Sequence, residues 1–558
     1  MVRATFSGFN TALSALQANQ KRLDITGQNL SNMNTAGYTR QQLEASSLNY
    51  TNPVSHYSNG NETAVGFGVS MDRVSQIRDP YLDIQYRSQS ADCSYTNRLQ
   101  TALNSLSKVL DETTISGIRQ AFDDIQSTLT SMQDPAKVSD PIYESELRTK
   151  MQSVCNLFNQ ASRQISQAEQ NEFQRLTGEG SSEQGDVQKI NDILRQIGDL
   201  NVQIKRNQVA GHPSLELQDE RNLLLDELSG YIPVETRYYK DDAHSGNNAY
   251  DYDANGAVIG KKDWPDDLEV SMNYIDAQGK SQKLILVNGS DLGADGLTKN
   301  YGQLSVSKGD HQTAASVSDP ANISIKFEKA PSYQGNGQAA ADVYAELKGI
   351  HFEGGSLQAS LDMLQKTGTG NVINGSTAVD DVRGYQYYSG KLDQLASTFA
   401  KSMNDINNKG KNPKDQNLLS NSTDDSTTGI TAGNIGISKG WTSGTIHIST
   451  DGTNRTDTIL DMIAAMKDTK KLNGKTFADY MNNLSTQLAS DSSSNQTALK
   501  TGTTVLNSIQ DSRDSLSGVS LDEEATNMMA YVSAYNAASR LMTALDEVLN
   551  TLISNTGA

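Results

Sequence analysis

Apolar residues recur every seven positions through the C-terminal end of the chain, which predicts a helix that packs along another helix. The two rows of this repeat are Met528, Tyr535, Met542 and Leu549, and then Tyr531, Ala538, Leu545 and Leu552. The carboxylates of Asp522 to Glu524 favour the start of a helix, because they lie near its positive end. Gly557 is typical of a helix end.

A second heptad pattern lies at the N-terminal end, where the apolar spacing alternates between three and four residues. Its apolar positions include Phe9, Leu13, Leu16, Leu23 and Leu30. Ordinary amphipathic helices on a globular core also carry an apolar face, but a strict seven-residue repeat is less common in them. The pattern therefore predicts a chain that leaves a coiled coil formed by its own two ends and returns to it.

Polar residues and glycine end the first helix and predict a turn. The residues of this turn motif are Asn29, Asn32, Asn34, Thr35, Gly37 and Tyr38. Gly37 can take the positive φ that such a turn needs. The segment that follows, to about residue 77, carries Gly, Asn and Pro and is expected to be extended and irregular.

Helical periodicity covers about 80–229 and predicts a helical bundle. Asp134-Pro135 and Asp140-Pro141 predict a break between helices. The later helices of this part are predicted at 142–177, 186–209 and 215–228, and helical pattern returns at 357–365, at 383–408 and from about 457 onward.

The pattern changes after Ile232-Pro233 to short apolar or alternating runs, which predict strands. These strands are predicted at 234–239, 268–274, 284–287, 304–306 and 323–327. A second insert, rich in Gly, Asn, Ser and Thr, covers about 410–455 and carries one predicted strand at 445–449.

The fold class predicted from these patterns is multidomain α+β: terminal coiled-coil helices and a discontinuous helical-bundle trunk with inserted all-β domains. The expected domains are a terminal domain of 1–78 with 516–558, a trunk of 79–232, 353–410 and 456–515, a β-rich outer domain of 233–352 and a small β-rich insert of 411–455.

The formal net charge of −19 argues against nucleic acid or an anionic membrane as a partner. No stretch approaches the roughly 20 apolar residues of a membrane span. The first residues lack a basic segment followed by an apolar run, so no cleaved signal peptide is expected. Cys93 and Cys155 lie within helical patterns, where buried free thiols are expected rather than a disulfide or a zinc site.

Catalytic and metal-binding motifs are incomplete. Asp251 to Gly256 matches half of a calcium loop, but Lys262 stands where the chelating Glu belongs, so a hairpin turn is predicted. Gly436 to Gly440 fits a nucleophile elbow, but a turn and a strand are expected after it instead of a helix. The six histidines are scattered. We therefore expect no enzyme activity, no cofactor and no metal.

Both ends of the chain resemble the bacterial flagellar rod, hook and hook-associated proteins. The N-terminal resemblance lies in Phe6 to Ala18 and Gln28 to Tyr38, and the C-terminal one in Gly518 to Ala525 and Tyr531 to Ala538. The segment Leu217 to Ser229 and the helical middle resemble the hook-associated protein 1 branch of this family, whereas hook protein lacks such a middle.

The resemblance implies a structural role at the junction between hook and filament, in a ring on the distal hook. The implied partners are hook protein, hook-associated protein 3, further copies of the chain and an export chaperone that binds the C-terminal helix. It implies an extracellular location in the flagellum, reached through the flagellar type III export apparatus.

Two alternatives stay open at this point. A hook or rod protein would share the terminal signatures, although the helical middle disfavours it. An axial protein that carries an enzymatic or adhesive outer domain would place that activity in 236–352, where no catalytic constellation is visible in the sequence.

Overall fold

A computed structural model describes most of the chain. The described residues are 6–48, 68–110, 112–210, 212–240, 250–252, 258–261, 266–275, 280–289, 300–328, 330, 343–345, 352–368, 372–373, 376–377, 382–410, 416–450 and 453–556.

The two ends of the chain form one unit, which we call the terminal body. It consists of helix α1 (Phe6–Ser31), strands β1 (Gln41–Ser47) and β2 (Val69–Gln76), and the last helix, α13 (Leu521–Thr556). α13 runs antiparallel along α1, and β1 and β2 form an antiparallel ribbon against α1. The predicted pairing of the terminal helices is confirmed. The segment predicted to be extended and irregular is extended in this ribbon, but the ribbon is regular.

The first part of the trunk consists of helices. These are α2 (Pro80–Val109), α3 (Glu112–Ser131), α4 (Pro135–Val138), α5 (Pro141–Thr177), α6 (Asp186–Val209) and α7 (Leu215–Tyr231). At α2, α4 and α5 an aspartate caps the first turn and a proline follows it, because proline at that position gives up no helical hydrogen bond. The two predicted Asp-Pro breaks are therefore helix starts.

The described strands of the outer insert form small antiparallel sheets. They are β3 (Glu235–Lys240), β4 (Tyr250–Tyr252), β5 (Val258–Lys261), β6 (Asp266–Ile275), β7 (Ser281–Asn288), β8 (Gln303–Ser307), β9 (Ser324–Glu328) and β10 (Val343–Ala345). The sheet orders are β3-β6-β7, β10-β9-β8 and β4-β5. The predicted strands of this region are confirmed. β4 and β5 pair around the calcium-loop-like segment, as the hairpin prediction requires, whereas residues 253–257 between them lie outside the described part.

The chain then returns to the trunk through α8 (Ser356–Gln365), a ribbon of β11 (Val372–Ile373) and β12 (Ser376–Thr377), and α9 (Tyr385–Asn407). The small insert follows with β13 (Leu419–Asn421), β14 (Ile435–Ile437) and α10 (Lys439–Thr442).

The strand predicted at 445–449 is wrong. This segment has no ladder partner, because the Asn407 side chain binds its backbone instead: the Asn407 amide donates to the carbonyl of His447 and accepts from the amide of Ser449. A side chain that satisfies two backbone groups removes the need for a neighbouring strand. An alternating apolar pattern does not distinguish a segment that pairs with a strand from one whose backbone is bound by a side chain.

The trunk is completed by α11 (Asp457–Met466) and α12 (Phe477–Ser517). α12 runs antiparallel along α2, as the pairs Arg513–Asp83 and Asn495–Gln100 show. The core contains four phenylalanines from distant parts of the chain, Phe122, Phe158, Phe399 and Phe477, with ring centroids 5.2 to 6.0 Å apart. Both halves of the sequence therefore build one trunk core.

Candidate assembly interface

The terminal helices meet along a mixed seam. On α13 the predicted rows face α1: Ala538 is buried, and Met528, Tyr531, Met542, Leu545 and Leu549 are half-buried. Leu545 lies against Gly8, and the Arg22 guanidinium lies 5.6 Å from the centre of the Tyr531 ring. Two members of the predicted rows, Tyr535 and Leu552, are exposed instead.

On α1 the residues buried most deeply are not the predicted leucines. Ala12, Ala18 and Ile25 are buried with the polar Thr26 and Asn29, whereas Leu13 is 46% exposed. The other predicted residues of this row, Phe9, Leu16, Leu23 and Leu30, are half-buried. The leucine-containing row therefore lies partly open to solvent in the single chain.

Apolar side chains also line α13 outside its contact with α1. Those more than 40% exposed are Leu521, Met529, Val532, Leu541, Val548, Leu552 and Ile553. A soluble monomer seldom exposes so many large apolar residues on one element. The helix thus carries more apolar surface than α1 covers.

Asn29 holds the turn motif together. Its side-chain oxygen accepts hydrogen bonds from the Tyr38 hydroxyl at 2.9 Å and from the Gln41 amide at 3.0 Å. Its side-chain nitrogen donates to the Gln41 carbonyl at 2.9 Å. Asn29 is 1% exposed, so these bonds join the end of α1 to the start of β1 in a site closed to water.

The other motif residues shape the turn locally. The Asn32 side chain donates to the Gln28 carbonyl, and the Thr35 amide donates to the Asn32 carbonyl at 2.9 Å. Gly37 has a φ of 77°, as the sequence predicted. Asn34 is exposed. Burial raises the pKa of Tyr38, and the nearby carboxylate of Asp219 raises it further, so its hydroxyl stays protonated and can donate to Asn29.

An ion-pair cluster that the sequence did not predict lies at the start of α13. Arg40 pairs with Glu523 at 2.7 Å and with Glu524 at 2.9 Å. Glu524 is 2% exposed. A cavity of about 310 Å³ lies beside this pair, between α1, α13 and β1. Only the general preference of carboxylates for a helix start pointed to Glu523 and Glu524, and nothing in the sequence identified Arg40 as their partner.

The nucleophile-elbow motif is structural. Contrary to the prediction, a strand precedes Ser438 and the short helix α10 follows it. The Ser438 hydroxyl nevertheless accepts from the Trp441 amide as a helix cap and donates to the Asn417 carbonyl. Ser438 is 4% exposed. Its hydroxyl is committed to these two bonds.

Cys93 and Cys155 are free and buried, as predicted. Burial raises the pKa of the Cys155 thiol to about 12. Within the described ranges, no three or more His, Cys, Asp or Glu side chains gather as a metal site would need. In the same part of the chain, no helix combines the length and apolarity of a membrane span.

Three segments of the chain match models of known protein families. Residues 103–259 match the flagellar hook-associated protein FlgK helical domain, residues 9–39 the flagella basal body rod protein, and residues 512–555 the flagellar basal body rod FlgEFG protein C-terminal region.

Named relatives align along the chain. A flagellar hook-associated protein 1 of Bacillus subtilis is 28% identical over 576 aligned residues, which cover 99% of both chains. That of Salmonella typhimurium is 29% identical over 40% of this chain and 38% of its own. Among solved structures, the flagellar hook junction protein FlgK from Burkholderia pseudomallei is similar over 61% of this chain and 46% of its own, with 20% identity and a TM-score of 0.39.

Proposed function

We propose that this chain, which is similar to flagellar hook-associated protein 1 along its length, is a structural protein of the hook–filament junction and assembles there through its terminal body. One observation carries this proposal: α13 exposes apolar side chains on both sides of the seam that it forms with α1. Burial of that surface by neighbouring subunits would stabilise an assembly by roughly 25 cal/mol per Å² of apolar area.

The neighbours that we propose are further copies of the chain in a ring, hook protein on one side and hook-associated protein 3 on the other. Before assembly the same α13 surface would favour wrong contacts, which an export chaperone bound to this helix would prevent. Export through the flagellar type III apparatus is part of the proposal. The role is structural rather than enzymatic, in keeping with the names of the relatives.

The trunk and the β inserts have a separate place in the proposal. The terminal domain of 1–78 with 516–558 would form the inner layer of the axial structure, and the trunk of 79–232, 353–410 and 456–515 the next. The β-rich parts, 233–352 and 411–455, would face outward. Support for this order comes from the terminal body, because among the described residues the exposed large apolar side chains concentrate on α13.

The test uses Val548→Asp, because Val548 is 60% exposed and its loss spares the seam between α13 and α1. Leu545→Asp is the companion variant within the seam, and Asn536→Asp is the control, since it adds the same charge at an exposed polar position of α13. Each full-length variant replaces the wild-type protein in a flagellated cell that lacks it.

The readouts are the fraction of hooks that carry a filament, counted by electron microscopy, and the copy number of the variant in purified flagella, measured by mass spectrometry. We expect Val548→Asp and Leu545→Asp to abolish both, with soluble protein of unchanged trunk fold, and Asn536→Asp to match wild type. Normal filament growth with Val548→Asp would refute assembly through this surface.

A further inference from the structure

Two covalent connections join the terminal body to the trunk, at 77–79 and at 518–520. The backbone of Arg40 bridges them. Its amide donates to the Ser517 carbonyl at the end of α12, at 2.9 Å, and its carbonyl accepts from the Ile77 amide at 2.8 Å. The two connections are thus held side by side beneath the terminal body.

A carboxylate of the trunk binds the terminal body directly. Asp219, on α7, accepts from the Thr39 amide at 3.0 Å and from the Thr39 hydroxyl at 2.6 Å. Thr39 is 2% exposed and Asp219 is 6% exposed. Charge-assisted bonds of this length in a site closed to water are stronger than neutral ones and tolerate little displacement. The Gln76 side chain adds a bond to the Leu215 carbonyl of the same helix, at 2.9 Å.

Beneath Asp219 the trunk carries a network of alternating charges. Arg78 pairs with Asp83, and its guanidinium lies 4.0 Å from Asp219. Arg513 of α12 pairs with Asp83 at 3.1 Å and with Asp226 at 2.7 Å. Arg87 of α2 binds Asp226 at 2.8 Å. The network therefore ties α2, α7 and α12 together at the end of the trunk that meets the terminal body.

The cations of this network are all arginines, and their side chains are at most 16% exposed. Arginine presents a planar set of donors to a carboxylate, which fixes direction as well as distance. Partly buried pairs are also screened by salt much less than surface pairs. Such a network gives α7 a rigid base and so fixes the position of the Asp219 carboxylate.

We propose that Asp219 is a positioning residue that sets the direction in which the trunk holds the terminal body. The twin hydrogen bonds to Thr39 define the contact point, and the arginine–carboxylate network beneath keeps that point in place. The direction belongs to the single subunit, so it can be measured apart from assembly and goes beyond the structural role at the junction.

The experiment measures the distance between α12 and α13 in the full-length protein by double electron–electron resonance. Spin labels are attached at cysteines introduced at Asn507 and Asn536, both exposed, with Cys93 and Cys155 replaced by alanine. Asp219→Asn keeps the size of the side chain but loses the charge and one acceptor for Thr39. Asp199→Asn, on the exposed face of α6, is the matched control.

We expect a narrow distance distribution in wild type and in Asp199→Asn, and a broadened distribution with a shifted maximum in Asp219→Asn. Thr39→Val should broaden the distance distribution as well. The distribution of the double variant should be no broader than that of the stronger single variant, because both changes weaken the same contact between Thr39 and Asp219. An unbroadened distribution in Asp219→Asn overturns the proposal, and so does a broad distribution in wild type.

Thermal unfolding separates positioning from a general loss of stability. α7 contributes Leu225 and Leu228 to the trunk core, but the hydrogen bonds of Asp219 go to Thr39, which lies outside that core. The unfolding temperature of the trunk in Asp219→Asn should therefore match that of wild type. If Asp219→Asn fails to fold, Thr39→Val carries the test, because it leaves the trunk carboxylate and its arginine in place. Filament counts do not enter this result, so assembly through α13 can fail or succeed independently.

Discussion

Replacing Asn29 with alanine should open the turn that joins α1 to β1. The side chain makes three hydrogen bonds in a site closed to water, two to the Gln41 backbone and one to Tyr38. Alanine makes none of them. Gln41 is only 7% exposed, so its amide and carbonyl would lose their protein partner, and only water from the adjoining cavity between α1, α13 and β1 could replace it.

The structure sets the size of this effect. A buried polar group left without a partner costs about 1–3 kcal/mol. The half-buried Tyr38 hydroxyl can turn to solvent, so only the two backbone groups of Gln41 are left without a partner. With some relaxation of the turn, their loss should lower the free energy needed to open this segment by about 2–4 kcal/mol. Since about 1.4 kcal/mol is a factor of ten, the Gln41 amide should exchange roughly 30- to 1,000-fold faster.

Hydrogen–deuterium exchange with fragmentation to single residues measures this amide directly. Asn32→Ala is the control, because Asn32 lies in the same turn but its side chain binds at an exposed site. We expect exchange at Gln41 to change little in that variant. Equal protection of the Gln41 amide in wild type and Asn29→Ala would refute the reasoning, and so would equal loss in both variants.

Two further predictions concern the trunk. Phe122→Ala removes a ring that is 1% exposed and contacts three other phenylalanine rings. The free energy of unfolding, measured by urea denaturation, should therefore fall by about 3–5 kcal/mol. The control Ile142→Ala, at a position that is 73% exposed, should change it by less than about 0.5 kcal/mol. Burial raises the pKa of Asp393 above its unfolded value, so its contribution to stability is full below about pH 4 and is lost as the pH rises through the folded pKa. Asp393→Asn keeps an acceptor for the Ala432 amide. Between pH 4 and pH 7, the free energy of unfolding should therefore change more favourably in this variant than in wild type. The same change in both proteins would contradict this.

The elements that depend on local pattern could be predicted from the sequence. The Asp-Pro pairs predicted breaks between helices, the seven-residue repeats predicted the pairing of α13 with α1, and the apolar runs after Ile232 predicted strands. In each case the signal comes from residues close together in the chain, so it needs no knowledge of the fold.

The features that depend on distant residues could not be predicted. Arg40 and Glu524 are separated by 484 positions, and Thr39 and Asp219 by 180. One charged residue has many candidate partners in an acidic chain, so no spacing rule selects the right one. The same limit explains the wrong strand at 445–449, where the deciding group is the side chain of Asn407.

The turn motif lies between these cases. Gly37 and the polar residues around it predicted a turn, and the resemblance to flagellar axial proteins identified Asn29 as one of its members. The three bonds of Asn29 require the register between α1 and β1, which only the folded chain supplies.

The antiparallel contact of α1 with α13 also dictates an order of folding. The partners lie far apart in the chain, so α1 has only the ribbon of β1 and β2 to pack against until α13 is present. Bringing such distant segments together in an unfolded chain has a large entropic cost, which falls once α2 and α12 have already aligned the two connections. We therefore predict that the ends of the molecule close after its middle and that the terminal body forms on an already folded trunk.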